Sequence, residues 1–140
     1  MIDVKTGHLL IDNKRTITPK TSFATIEQWQ LGITQKTRQM GGGWSCLDVK
    51  NLNIDKRHLN ISFLFNDKGI TGFTFTFQEL SYSMNPNWAS WSKEGEKTNL
   101  DRFNYWLNQQ FGNTRKLEWG TVHAFYDPKS AGSFIKLNYA

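Results

Sequence analysis

Apolar and polar positions alternate most strictly in two runs, residues 59–66 and 72–78, which flank a short glycine-containing turn at residues 67–69. Successive side chains of a β-strand point to opposite faces, and a short turn of this kind joins antiparallel strands. The pattern therefore predicts a hairpin with one phenylalanine-rich face, which we expect to belong to the core. The apolar positions are Leu59, Ile61, Phe63, Phe65, Phe73, Phe75 and Phe77.

Shorter β-prone runs predict further strands on both sides of this hairpin. Residues 8–11 and 15–18 favour a first hairpin around a polar turn. Residues 44–49 are expected to form a strand that precedes the phenylalanine-rich hairpin in the same sheet. Residues 119–139 predict two last strands around a turn at residues 127–130, and these close the sheet.

Two segments have the spacing of three or four residues that is typical of an amphipathic helix. Thr21 or Ser22 can cap the first helix, and the second begins near Ser92 and ends at Gly112. Thr98 offers a later start for the second helix. The apolar positions are Phe23, Ile26 and Trp29 in the first helix and Leu100, Phe103, Leu107 and Phe111 in the second.

These elements follow the order β-β-α-β-β-β-α-β-β. We predict a single α+β domain over residues 1–140, with two helices packed on a largely antiparallel sheet. Residues 33–43 are polar and basic and end in three consecutive glycines. This segment is predicted to be a loop and the most mobile part of the chain, because it lacks an apolar period.

The net charge of +5 comes from basic residues that are scattered along the chain. Adjacent basic pairs occur at Lys14-Arg15, Lys56-Arg57 and Arg115-Lys116, and no run of five like charges exists. Three interpretations remain open: a solvated surface, a surface matched to an acidic protein partner, and a face that binds polyphosphate.

The first residues lack the features of a signal peptide, and no window of the chain is apolar enough to span a membrane, so we expect a cytoplasmic protein without a membrane partner. A single cysteine, Cys46, excludes an internal disulfide and a cysteine-built zinc site. We expect Cys46 to be a small core residue.

The sequence contains few candidates for catalysis. His8, His58 and His123 are not spaced as metal ligands, and no phosphate-binding loop or nucleophile motif is present. We therefore expect no metal, no cofactor and no enzymatic activity. The alternative is a metal-independent ribonuclease, in which two histidines would meet beside Lys129 and Tyr126.

Five residues are candidates for contact with a partner. Trp88 and Trp91 lie in a turn-rich loop, where an indole ring is costly to leave in water and suits the centre of an interface. Both rings could instead cover the edge of the core. Lys36 and Arg38 of the predicted loop, together with Lys129 of the last turn, would form a charged rim.

The glycines, turn residues and large aromatics of this chain resemble those of a group of small, mostly uncharacterised bacterial cytoplasmic proteins. The resemblance spans nearly the whole chain and carries over no functional residue. It depends on the motifs Thr6-Gly7-x-Leu9-x-Ile11, Ile17-x-Pro19, Trp88-x-x-Trp91-Ser92, Trp106-Leu107, Trp119-Gly120-x-Val122-x-x-x-Tyr126-Asp127-Pro128-Lys129-Ser130, Ser133-x-Ile135 and Tyr139.

Proteins of this kind are similar in general character to immunity proteins of bacterial toxin systems, including those of contact-dependent growth inhibition. The resemblance implies a non-enzymatic protein that neutralises a cognate toxin by direct binding. Many nuclease toxins are basic, whereas this chain is itself basic, so the toxin would need an acidic surface. The alternative is a nucleic-acid-binding protein that uses exposed aromatic rings and lysines.

Overall fold

The structure, a computed structural model, describes residues 1–84 and 92–140 and confirms an α+β fold built mostly of sheet. The elements in chain order are β1 (Leu9–Leu10), β2 (Thr16–Ile17), α1 (Phe23–Trp29), β3 (Thr34–Gly41), β4 (Trp44–Ile54), β5 (Arg57–Asn66), β6 (Gly69–Gln78), α2 (Lys93–Phe111), β7 (Lys116–Leu117), β8 (Gly120–Asp127) and β9 (Gly132–Tyr139).

Seven of the described strands form one antiparallel sheet in the order β3-β4-β5-β6-β9-β8-β7. The last strand, β9, lies between β6 and β8, so the chain order and the spatial order of the strands differ at this point. The first hairpin, β1 and β2, is confirmed but forms a small sheet of its own. The helices pack on one face of the large sheet.

The phenylalanine-rich face is core, as the alternation predicts. Its side chains pack under α2, whose buried residues are Phe103, Trp106, Leu107 and Phe111. The Phe75 and Trp106 rings meet edge to face, with centroids 6.2 Å apart and an interplanar angle of 89°. Large rings therefore fill most of the space between helix and sheet.

Both helices begin at the serines that the sequence offers as caps. The Ser22 hydroxyl accepts a hydrogen bond from the Thr25 backbone N–H at 3.1 Å, and the Ser92 hydroxyl accepts one from the Gly95 backbone N–H at 2.9 Å. Each bond satisfies one of the backbone donors that a helix leaves free in its first turn. The later start at Thr98 is therefore not used.

The last strands also hold the N-terminal segment against the core side of the sheet. The indole Nε1 of Trp119 donates to the Val4 carbonyl at 2.9 Å, and the Tyr139 hydroxyl donates to the Gly7 carbonyl at 2.9 Å. These bonds join residues more than 100 positions apart. The two ends of the described chain thus form one packed unit.

The prediction of a loop at residues 33–43 is wrong, because most of this segment forms β3. Seven of its eight residues pair with β4, with Lys36 opposite Asp48 and Arg38 opposite Cys46, and Met40 is skipped at a shift of register. Gly42 and Gly43 form the turn with φ values of 61° and 82°, which glycine adopts without strain. An edge strand exposed on both faces has no apolar alternation, so the sequence pattern does not reveal it. The short strand β7 is also absent from the predicted order.

Candidate binding surface

The face of the large sheet that lies opposite the helices is lined by polar and basic side chains. Residues directly opposite each other on paired strands share a face. A row of such partners crosses six strands, a span of roughly 24 Å at about 4.8 Å per strand. Its members are Lys36, Asp48, Ser62, Thr74, Lys136 and His123.

Two further rows lie on either side of the first, and we call the three rows together the open face. All of its side chains are exposed or half-buried apart from Cys46 and Gly72, which are buried. One flanking row consists of Arg38, Cys46, Leu64, Gly72, Asn138, Thr121 and Lys116. The other contains the pairs Thr34 and Lys50, Asn60 and Thr76, and Phe134 and Phe125.

The charge of the open face is strongly biased. Asp48 is the acidic residue of the three rows, and the basic residues are Lys36, Arg38, Lys50, Lys116 and Lys136. None of the four lysines forms an ion pair with another described residue. Charges that are scattered in the sequence are therefore collected on one side of the sheet, where they create a positive electrostatic potential.

Asp48 connects three neighbouring strands through its carboxylate. Arg38 donates to it through Nε at 3.0 Å and through Nη2 at 3.3 Å, and the Ser62 hydroxyl donates at 2.6 Å. Burial alone would raise the pKa of Asp48, but the hydrogen bonds from Arg38 and Ser62 lower it. The ion pair holds the guanidinium of Arg38 beside Asp48, and the Arg38 side chain remains 54% exposed.

A shallow groove of about 350 Å³ runs along the middle of the open face. Its lining contains uncharged hydrogen-bonding side chains, among them Ser62, Thr74 and Thr76, together with the charged Arg38, Asp48 and Lys50 and the ring of Phe134. Hydroxyl groups between cations can accept or donate hydrogen bonds to a polar partner. The groove therefore combines hydroxyl groups with charged side chains.

Three rings lie together on the open face at the β8 and β9 strands. The centroid of Phe125 is 5.5 Å from that of His123 and 5.9 Å from that of Phe134. Burial, and then the nearby charge of Lys136, lowers the pKa of His123. Both effects favour the uncharged imidazole beside the two phenylalanine rings.

At the opposite edge, the strand ends on either side of the β3–β4 turn carry exposed apolar side chains. Met40 is 51% exposed and Trp44 is 39% exposed. The Cys46 thiol donates to the Met40 sulfur at 3.1 Å, and burial raises the pKa of Cys46. Cys46 is buried, as expected from the sequence. An indole at the border of a basic face is a typical interface anchor.

The residues proposed from the sequence have different positions in the structure. Lys36 and Arg38 are exposed and lie two residues apart on β3, on the open face. Lys129 lies in the turn between β8 and β9, where its backbone N–H donates to Asp127 at 3.0 Å, and is not part of the three rows. Trp88 and Trp91 lie outside the described residues.

Trp44, Lys50 and Lys136 are members of this surface that sequence reasoning missed. The sequence pattern predicts the strand that contains Trp44, but the exposed face of that strand is not identified as a binding surface. A signal was present, because Trp44 is out of phase with Leu47 and Val49, the core positions of the same strand. The strand period of two places Trp44 on the opposite face.

The three histidines do not meet in the described structure. His58 on β5 and His123 on β8 are three strands apart, which is at least roughly 14 Å. His8 directly precedes β1, whose Leu9 is buried in the core on the other side of the sheet. Among the described residues, no group of three potential ligands is placed to hold a metal ion.

No helix in the described part of the chain combines the length and the apolar character needed to cross a membrane. Comparison of the chain with protein-family models, with curated proteins and with solved structures finds no match. Any inference about function therefore depends on the geometry and chemistry of the open face.

Proposed function

We propose that this protein is a non-enzymatic binding module whose open face docks on an acidic surface of another protein. The more specific form of the proposal is an immunity protein that acts in the bacterial cytoplasm and neutralises a cognate toxin by direct binding. The observation that carries it is the collection of five basic side chains around a single acidic one on an accessible face.

The chemistry of the open face favours a protein over a uniform polyanion as its partner. Asp48 lies within the basic rows, close to a lysine and an arginine, and would repel a phosphate backbone that followed the row. Exposed apolar groups, Met40 and Trp44, border the cations. Protein interfaces combine an aromatic or apolar anchor with a charged rim in this way.

The protein would neutralise the toxin by covering its functional surface. A face that spans roughly 24 Å is broad enough to cover the active site or the substrate-binding surface of a small toxin domain. The unpaired lysines would accelerate association with an acidic toxin, and the anchors would slow its dissociation. An immunity protein protects the cell only if it binds the toxin before the toxin causes damage. Electrostatic steering would raise the association rate that this requires.

The first experiment is co-expression of the tagged protein with the product of the immediately upstream gene, followed by purification at low and high salt. We expect a stoichiometric complex that survives high salt and suppresses the toxicity of the partner. The double variant Lys36→Glu, Arg38→Glu should weaken the complex at least tenfold, because two attractive charges become repulsive.

The matched control is the double variant Lys14→Glu, Lys20→Glu, which makes the same change in net charge at exposed positions outside the open face. It should leave the affinity nearly unchanged. Equal weakening by both double variants would show that only net charge matters and would remove the open face from the proposal.

A second candidate function is the binding of single-stranded nucleic acid, and the ring cluster of His123, Phe125 and Phe134 favours it. Bases stack on aromatic rings, and lysines of the same face would contact phosphates. This function predicts an affinity for mixed oligonucleotides that falls steeply with salt and is lost on Phe125→Ala. Nucleic acid that co-purifies only at low salt, without a protein partner, would favour this candidate.

A further inference from the structure

The strand β3 is an edge of the sheet, and its outer side is accessible. It is eight residues long, and residues 36–41 are all exposed. At about 3.3 Å per residue the strand offers roughly 26 Å of edge, along which half of the backbone N–H and C=O groups face away from β4. The opposite edge of the sheet, β7, has only two residues.

The side chains along this edge form an ordered pattern. Lys36 and Arg38 project from the middle of the strand onto the open face, two residues apart. Ile33, which precedes the strand, is 64% exposed, and Met40 near its end is 51% exposed. The edge therefore presents a basic centre between two apolar ends.

A second copy of the chain is a poor occupant of this edge. In a symmetric antiparallel pair centred on Thr37, Lys36 of one copy would lie directly opposite Arg38 of the other. Like charges in directly opposed positions destabilise a strand pair. No residue between Thr34 and Gly41 is acidic, so no register of such a pair places an anion opposite either cation.

The same charges select an acidic strand. We propose that the protein partner contributes an extended segment that pairs with β3 as an additional strand, with two acidic side chains two residues apart opposite Lys36 and Arg38. This inference rests on the proposed function and specifies how the partner is held. Main-chain hydrogen bonds along the edge would give affinity, and the two cations would set the register.

The test uses a defined probe, an eight-residue peptide with blocked ends in which valine and threonine surround two glutamates spaced two positions apart. Amide hydrogen exchange of the ¹⁵N-labelled protein is measured by NMR with and without saturating peptide. Strand addition should slow the exchange of alternate β3 amides at least tenfold, because only every second N–H faces the edge. A peptide with lysines in place of the glutamates should bind at least tenfold more weakly.

Backbone methylation of the peptide gives a control that leaves its charge unchanged. Two versions carry N-methyl groups on the two alternate sets of amides, and a strand uses only one set to pair with β3. Strand addition predicts that one version loses binding and the other retains it. Equal binding by both versions, uniform protection of β3, or no preference for glutamate over lysine would each overturn the inference.

Failure of this inference can be told apart from failure of the proposed function. If the upstream gene product binds the protein and the charge reversal at Lys36 and Arg38 weakens the complex, the proposed function holds. If β3 amides then show no alternate protection in that complex, the partner docks on side chains of the open face alone, and the strand-addition inference is wrong.

Discussion

At the scale of single residues, Asp48 reduces the net positive charge of the open face, because it pairs with Arg38. It engages Arg38 in the ion pair found on this face of the described structure and also accepts the Ser62 hydroxyl. Because Arg38 is more than half exposed, solvent screens the pair, and its net contribution to stability is at most about 1 kcal/mol. The role of Asp48 is therefore to orient Arg38 more than to stabilise the fold.

His123 gives a prediction about pH. Burial and the charge of Lys136 both favour the neutral imidazole, so the NMR titration midpoint of His123 should lie below the ordinary value of about 6.5. Lys136→Gln should move the midpoint upward but not fully to that value, because burial remains. Lys50→Gln, which removes a charge four strands away, is the control and should leave the midpoint unchanged.

The same shift has a consequence for stability, and its sign follows from which state binds the proton more readily. A histidine whose pKa is lowered by folding is protonated more easily in the unfolded chain. The free energy of unfolding should therefore fall as the pH drops below about 6.5, and this fall should level off below the folded pKa. Replacement of His123 by glutamine should remove that part of the pH dependence.

At the scale of elements, α2 is held to the sheet by aromatic burial. Trp106 is 6% exposed and contacts the Phe75 and Phe77 rings, whereas its neighbour Tyr105 is 64% exposed. Trp106→Ala should lower the free energy of unfolding by about 3–5 kcal/mol, and Tyr105→Ala should change it by no more than about 0.5 kcal/mol. Chemical denaturation of both variants checks this difference, and equal effects would contradict the assignment of the buried face.

Gly120 of β8 lies against the backbone of β9. A β-carbon added there would lie beside the Asn138 carbonyl oxygen, and φ is 152°, a value that other residues rarely adopt. Gly120→Ala should therefore destabilise the protein by more than about 2 kcal/mol. Gly112→Ala is the matched control, because Gly112 also has positive φ but has open space around its α-carbon, so only backbone strain of about 1 kcal/mol should result. Thermal unfolding compares the two variants.

The strand β3 shows the limit of predicting secondary structure from sequence patterns. Residues 59–78 have one buried face, and the alternation that burial requires makes both strands predictable. Residues 34–41 have no buried face, so their sequence reads as a loop although their backbone is paired with β4. The strand is specified by its neighbour and by the glycine turn, and not by its own pattern.

At the scale of the whole molecule, the sheet separates two kinds of chemistry. One face binds the helices through large rings, and the other collects cations from strands that lie up to 100 positions apart in the chain, from Lys36 to Lys136. Under the proposed function this second face is the docking surface, and its anchors are the exposed Met40 at the end of β3 and Trp44 at the start of β4.

Trp44 supplies the prediction at this scale. Trp44→Ala should weaken partner binding at least tenfold and lower the free energy of unfolding by less than Trp106→Ala does, because Trp44 is 39% exposed and Trp106 only 6%. Isothermal titration calorimetry with the co-expressed partner measures the affinity. Tyr105→Ala removes an exposed ring from α2 as a control, and an equal loss of affinity in that variant would argue against the open face as the docking surface.

The sequence by itself determined the α+β class, the phenylalanine-rich core strands and the two serine-capped helices, because each leaves a local signal in spacing or capping. It also singled out Lys36 and Arg38, although it placed them on a loop. Only the tertiary structure decided that these two cations share a face with Lys136, since strand order and register bring distant residues together. A local pattern records which residues are buried, whereas the neighbours of an exposed residue are fixed by pairing across the sheet.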